Sequence, residues 1–350
     1  MRLSPRARPD RVADSARIVR VESTLPAWKI TLDSYAVPVA WRSASQIVLT
    51  FALFVVGFAL MLQTLDVGYW LVLLLAVPTA AMQVRLFTLF HEATHYSLFA
   101  SRRANHVAGV ILGIPCFTPY FQWGRRHALH HATSGDLERR GWWEIPTLTT
   151  AEYAQSSRRD RLIYRLTRSP LLLFTVIPFV FFAIAQRFGA PGARRRERIG
   201  VWATDAALAG LVVGAMSLLG VGTFLAVWLP VALLAAIGGF WLFYVQHQFE
   251  DAYWVAHDQW TFTDAAMRGS SFLRLPAVLE WITLSIGYHH IHHLNPRIPN
   301  YRLAPAHREN PEFHDVVTLS LGESLATIRA NLWNGARMID FRRADARIVP

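Results

Sequence analysis

Residues 90–99 read FHEATHYSLF, so His91 and His95 stand four apart with Glu92 beside the first. Two imidazoles at that spacing share one helix face and can hold one metal ion. With a glutamate in second place, this is the H-E-x-x-H pattern of zinc proteases, where the carboxylate is the general base. The other histidines change that reading. RRHALHHATSGD holds His127, His130 and His131; YVQHQFED holds His247; GYHHIHHLNP holds His289, His290, His292 and His293. Spacings of three and four put each group on one helix face. Leaving out His290, these histidines supply nine nitrogen ligands: two, three, one and three. A zinc protease needs three protein ligands and an open position, so nine are too many for one zinc. They suit two metal ions, each with room for a further ligand.

An all-imidazole set fits iron among the redox-active metals, and O2 activation is the chemistry that follows. Glu92 is then expected to orient a ligand by hydrogen bonding rather than to act as a base. A single histidine after an apolar helix, as at His247, is usually a capping residue. Here it ends a span where a ligand would be missing, which argues for a metal role. His290 is expected to pack or hydrogen-bond nearby, and the isolated His106, His257, His307 and His314 to be ordinary surface residues.

Four apolar stretches could position these groups, each near the 20 residues that cross a bilayer. They cover about 45–65, 69–90, 199–219 and 221–245. A short DVG turn joins the first two and Gly220 the last two, so each pair forms a helical hairpin with both outer ends on one side. LLLFTVIPFVFFAIA (171–185) is flanked by arginines on both sides. As a span it would put one arginine group on the translocated face, against the positive-inside tendency. An interfacial or re-entrant helix is expected there, and likewise at the Pro-interrupted 107–121. The fold class is therefore all-α and integral to a membrane. It has four transmembrane helices, interfacial helices and a histidine-rich cytoplasmic cap over 91–198 and 246–350. Residues 1–40 read as a cytoplasmic arm and 41–350 as one membrane domain. The first 25 residues have no apolar run of the kind a secretory signal carries.

Composition agrees. The 350 residues are 53% hydrophobic with 13 tryptophans. The single cysteine, Cys116, excludes an internal disulfide, a CxxC zinc site and a cysteine-bound iron–sulfur cluster. Net charge is +11, with Lys29 the only lysine among 35 basic residues. Beside long apolar runs, that excess suits lipid headgroups and an acidic partner protein rather than nucleic acid.

HEATH, HALHH, HHIHH and YVQHQFE together resemble the membrane fatty acid desaturases, most of all the bacterial and plastid-type acyl-lipid enzymes. The flanks HHATSGDLERRG and GSSFLRLPAVLEWITLSIGYHHIHHLNPRIPNYRL add to the likeness, which runs from about residue 80 to 315. The resemblance implies two irons held by His91, His95, His127, His130, His131, His289, His292 and His293, with His247 matching the extra histidine after the last span. It implies O2 as cosubstrate, two electrons from a separate ferredoxin or flavodoxin, and a cis double bond in a lipid acyl chain. Electron delivery from a separate carrier fits the lack of a cytochrome b5-like HPGG segment. The expected location is a bacterial inner membrane, with the active site facing the cytoplasm. A hydroxylase or ketolase acting on alkane, carotenoid or sterol shares the same boxes. A histidine-lined metal transporter also places histidines near span ends, but its site would lie at mid-bilayer among polar residues.

Overall fold

The computed structural model describes residues 26–141 and 144–348; the first 25 residues, read above as part of an arm, lie outside them. Helix α1 (Ala27–Asp33) precedes the first hairpin, α2 (Ala40–Thr64) and α3 (Tyr69–Thr94). Helices α9 (Arg195–Leu219) and α10 (Val221–His247) form the second. These four are long and apolar enough to cross a membrane. Only Gly220 separates α9 from α10, and its φ of +81° belongs to the left-handed region where a side chain is disfavoured. Half of the apolar window of α3 is buried, against 11–17% for the others. Helix α3 is thus the central strut, and the other three turn most of their apolar surface outward, as lipid contact requires.

Between the hairpins come α4 (Arg102–Gly113), α5 (Tyr120–Thr133), α6 (Thr150–Gln155), α7 (Arg158–Thr167) and α8 (Ile177–Ala183). The turn after α4 lies along α3, where Gln83 donates to the carbonyl of Pro115 at 3.0 Å. A π-helical turn, Leu172–Val176, leads into α8. The 172–187 segment bends from α7 by 62°, so 171–185 is not a straight fifth span. Its aromatics follow α10 instead: Phe174 meets Phe240 and Tyr244, and Phe179 meets Trp228.

The remaining chain forms α11 (Phe262–Arg268), α12 (Ala277–Ile282), α13 (His289–Leu294), α14 (Asn300–Arg308), α15 (Leu321–Ala326) and α16 (Phe341–Ile348). Five short strands join it to the rest: β1 (Leu148–Thr149), β2 (Phe272–Arg274), β3 (Thr318–Ser320), β4 (Leu332–Trp333) and β5 (Met338–Ile339). Strand β4 pairs parallel to β1 and antiparallel to β5, and β2 pairs parallel to β3. The fold is predominantly helical, and these strands are stitches within the cap. From residue 26 onward the expected arm is docked. Leu32 is fully buried among Ile291, Leu294 and Leu303, and Asn295 donates to Asp33 at 2.9 Å. Burying one leucine in full contributes roughly 1.5–3 kcal/mol toward docking this seven-residue helix against α13.

Candidate metal centre

Four elements deliver the histidines. The last turn of α3 carries His91, and His95 caps it; α5 presents His127, His130 and His131; α10 ends on His247; α13 carries His289, His292 and His293. All nine expected ligands converge in two groups. One comprises His91, His95, His127, His131 and His292, the other His130, His247, His289 and His293, with candidate ligand atoms within 4.8 Å of one another. The grouping cuts across the boxes: His130 parts from its neighbours on α5, and His292 from its neighbours on α13.

The ring geometry suits metal ions. His91 Nε2 lies 2.7 Å from His127 Nε2, and His127 Nε2 lies 3.1 Å from His131 Nε2. In the second group, His247 Nε2 is 3.0 Å from His130 Nε2 and 2.9 Å from His289 Nε2. Neighbouring donors at right angles around an ion with bonds of about 2.1 Å stand roughly 3 Å apart. Nε2 of His95 and of His292 is buried without any hydrogen-bond partner. Burial holds His127, His130, His131, His289, His292 and His293 well below the ordinary imidazole range, so they present lone pairs rather than charge. So many inward lone pairs are costly unless a cation accepts them. His247 is fixed for this task, because its Nδ1 lies 3.1 Å from the carbonyl of Gly269. Donating a proton there leaves Nε2 free as a ligand.

Two carboxylates stand behind the rings. Glu92, fully buried, accepts from Ser97 Oγ at 2.8 Å and from the Asn300 backbone N–H at 2.9 Å. Its other oxygen is 4.0 Å from His91 Nδ1, beyond hydrogen-bond range. Glu144 is 3.9 Å from His130 Nδ1, and neither of its oxygens has a donor. Burial pushes its carboxyl up to about 8; nearby Asp136 adds to the rise and Arg140 opposes it. The sequence reading missed Glu144, a lone acid in an irregular stretch with no spacing to single it out. The turn leading there depends on Gly135, whose φ is +80°, and a Cβ at that position would meet the Tyr253 carbonyl oxygen at 2.7 Å.

His290 packs and hydrogen-bonds nearby, as expected: its ring meets His307 Nδ1 at 3.0 Å. His307 is not an ordinary surface residue, since its ring lies against Phe272 and His314 as well as His290. His257 is exposed, with Nδ1 2.7 Å from Asp136.

An apolar approach leads to the histidines from the spans. Gln83, Phe87 and His91 follow one another at four-residue steps on α3, and Ala236, Gly239, Phe243 and His247 do the same on α10 at three- and four-residue steps. The first two of each series line a cavity of about 50 Å3, together with Phe182 and Trp228. Trp123 meets Phe87 of that lining at 5.4 Å and stacks on His127 at 4.4 Å, and Phe243 lies 5.3 Å from His130.

Comparison with known proteins agrees with this architecture. The family model described as fatty acid desaturase matches residues 67–319. The chain is 40% identical over 311 residues to a fatty acid desaturase of Bacillus subtilis, covering 88% of each chain. It is 26% identical over 232 residues to the sn-1 acyl-lipid omega-3 desaturase (ferredoxin) of Synechocystis, covering 63% of this chain and 62% of that one. A chloroplastic omega-6 fatty acid desaturase of Brassica napus is 24% identical over 309 residues, covering 85% of this chain and 65% of the other. With nine histidines gathered beside the ends of α3 and α10 and a family match across most of its length, this chain belongs to the fatty acid desaturases, a family of oxidoreductases.

Proposed function

We propose that the chain introduces a cis double bond into acyl chains of membrane lipids, at two irons held by the nine grouped histidines. The observation that carries this reading is the pair of inward-facing imidazole groups reached along the apolar faces of α3 and α10. Iron held there supplies the oxidising power, from O2, to remove two hydrogens from an unactivated C–C bond. Overall, two hydrogens leave the chain and O2 becomes two waters, with two further electrons and two protons supplied from outside. The protein's own part is placement. His247 and the boxes fix the donor atoms, Trp123 and Phe243 keep water from the approach, and the apolar faces align the acyl chain. The cavity holds roughly the volume of two waters, so Phe87 and Phe182 must separate to admit a chain.

The electron donor in this reading is a small acidic carrier, a ferredoxin or flavodoxin, and the Synechocystis relative's name points to ferredoxin. The exposed Arg158, Arg159, Arg194 and Arg195 give such a donor a basic surface. We place the site on the cytoplasmic face of a bacterial inner membrane, where both hairpins bring their outer ends together.

The test compares acyl profiles of host membranes expressing the wild type or His289→Ala, with iron measured on the purified protein. New cis unsaturation with about two irons per chain, both lost in the variant, is the expected result. Hydroxylated acyl chains in place of alkenes would move the reading to the hydroxylase branch.

A further inference from the structure

A second cavity, of about 540 Å3, opens behind α10, between the C-terminal end of α7, Pro170 and the stretch 328–342. Its lining includes Arg165, Arg168, Arg329 and Arg342 against a single carboxylate, Asp340. Asp340 Oδ1 accepts from the backbone N–H of Arg343 at 2.8 Å, and one carboxylate cannot balance four guanidinium groups. Arg165 is paired with Asp345 at 2.5 Å. Arg329 and Arg342 are exposed and take part in no ion pair among the described residues.

Arg168 is the unusual member. Only 2% exposed, it donates to the carbonyl of Pro146 at 3.3 Å, to Gln248 Oε1 at 3.0 Å and to the carbonyl of Ala330, and it lies over the Tyr244 ring. Its Nε is buried without a partner, and no described carboxylate lies within ion-pair distance. A buried cation held only by neutral acceptors is costly until an anion approaches. The guanidinium fork suits a phosphate in particular.

The surroundings say what carries that phosphate. Leu162, Ile163 and Leu166 on α7, and Leu171 just past the cavity, are exposed at 57%, 46%, 48% and 71%. A concave arginine site edged by exposed leucines and isoleucine has the character of a headgroup boundary, with charge above and acyl chains beside. We infer that this cavity binds the phosphate group of an anionic membrane lipid, with Arg168 as the buried anchor and Arg329 and Arg342 closing on its exposed side. Gln248, which accepts from Arg168, directly follows His247, so the lipid would be held one side-chain layer behind the four-imidazole group. The inference stands independently of the reaction, because a lipid retained here needs no turnover to be detected.

The test uses the full chain purified in a non-ionic detergent, as wild type and as Arg329→Gln/Arg342→Gln. Both replaced residues are exposed, which leaves the fold intact. Retention of added phosphatidylglycerol is read by native mass spectrometry and by the rise in Tm. Parallel arms use a galactolipid with the same chains and inorganic phosphate alone. The expected result is retained phosphatidylglycerol, no comparable galactolipid retention, and roughly tenfold weaker retention in the double variant, as loss of charged hydrogen bonds implies. Equal retention by both proteins would overturn the inference. So would full displacement of the lipid by millimolar phosphate, which would make this a free-anion site. Unchanged lipid retention with lost binding of an acidic carrier protein would reassign the cavity to that partner.

Discussion

Glu92, beside the five-imidazole group, accepts from Ser97 Oγ and from the backbone of Asn300. Glu144, beside the four-imidazole group, is buried with no donor to either oxygen. Each stands about 4 Å from a ring Nδ1, at 4.0 and 3.9 Å, so one carboxylate backs each group. What differs is what else they do. Glu92 ties the end of α3 to the first residue of α14 and would be held in place by the fold alone. Glu144 has nothing to gain from burial except a ligand's N–H, because an unsatisfied buried carboxyl is costly. The first group is thus built into the fold, and the second depends more on what it binds.

The largest expected effect breaks the comparison at the ligands. His289→Ala leaves three imidazoles in its group, whereas His95→Ala leaves four in the other. Both should lose desaturation to background. Iron per purified chain should fall further in His289→Ala, the deficit being confined to one ion. His290→Ala, whose ring faces His307 instead, should keep both irons and most activity. Equal iron loss from His95→Ala and His289→Ala would remove the asymmetry between the groups.

Next come the carboxylates. Loss of a group that orients a metal-bound histidine typically costs about 10–100-fold in metal affinity or activity, and Glu92→Gln and Glu144→Gln should both fall in that range. Stability separates them. Glu92→Gln keeps an oxygen that can accept from Ser97 and Asn300 but weakens both bonds by removing the charge, and should lower the Tm of metal-free protein. Glu144→Gln removes no donor's partner and should leave that Tm unchanged or raise it. A similar Tm loss in both would show that Glu144 also serves the fold.

Ser97→Ala probes the same contrast more gently. It leaves Glu92 with one donor, and a buried hydrogen bond lost to one side costs roughly 1–3 kcal/mol. The expected outcome is a lower midpoint in denaturant with iron content maintained. An iron loss matching Glu92→Gln would mean that Ser97 sets the carboxylate's aim on His91.

Much of this site was legible in the sequence, and the reason is local geometry. Spacings of three and four residues fix which face of a helix a histidine takes, so the boxes and the span pattern suffice to name all nine residues that converge. The five–four division was not legible. His130 and His131 are adjacent in sequence but reach different groups, because that choice depends on how α5 crosses α10 and α13. Glu144 gave no signal, being one acid in an irregular loop. The arginine cavity draws on residues more than 150 positions apart, Arg168 and Arg329, and joins them through strands of two residues that leave no alternation to read. The docking of α1 rests on Leu32 meeting α13, a contact that periodicity over seven residues cannot encode.

The smallest expected effect concerns the clamp on the Glu144 segment. Arg140 bridges that segment by donating to the carbonyls of Leu137 and Thr147 and to both oxygens of Glu152. The hydrogen bond from Arg140 depresses the Glu152 carboxyl from its ordinary value to about 2. A group whose pKa is lowered on folding contributes stability that is complete above its unfolded value of about 4.3. That contribution disappears only as pH falls through the folded value. The clamp should therefore hold equally at pH 5.5 and pH 8. Arg140→Gln should cost little, below about 1 kcal/mol for a pair this exposed, and the Tm gap from wild type should be the same at both pH values. The gap should shrink only below about pH 4.3, so a gap as large at pH 3 as at pH 8 would mean that Glu152 titrates near its ordinary value and is not held by Arg140.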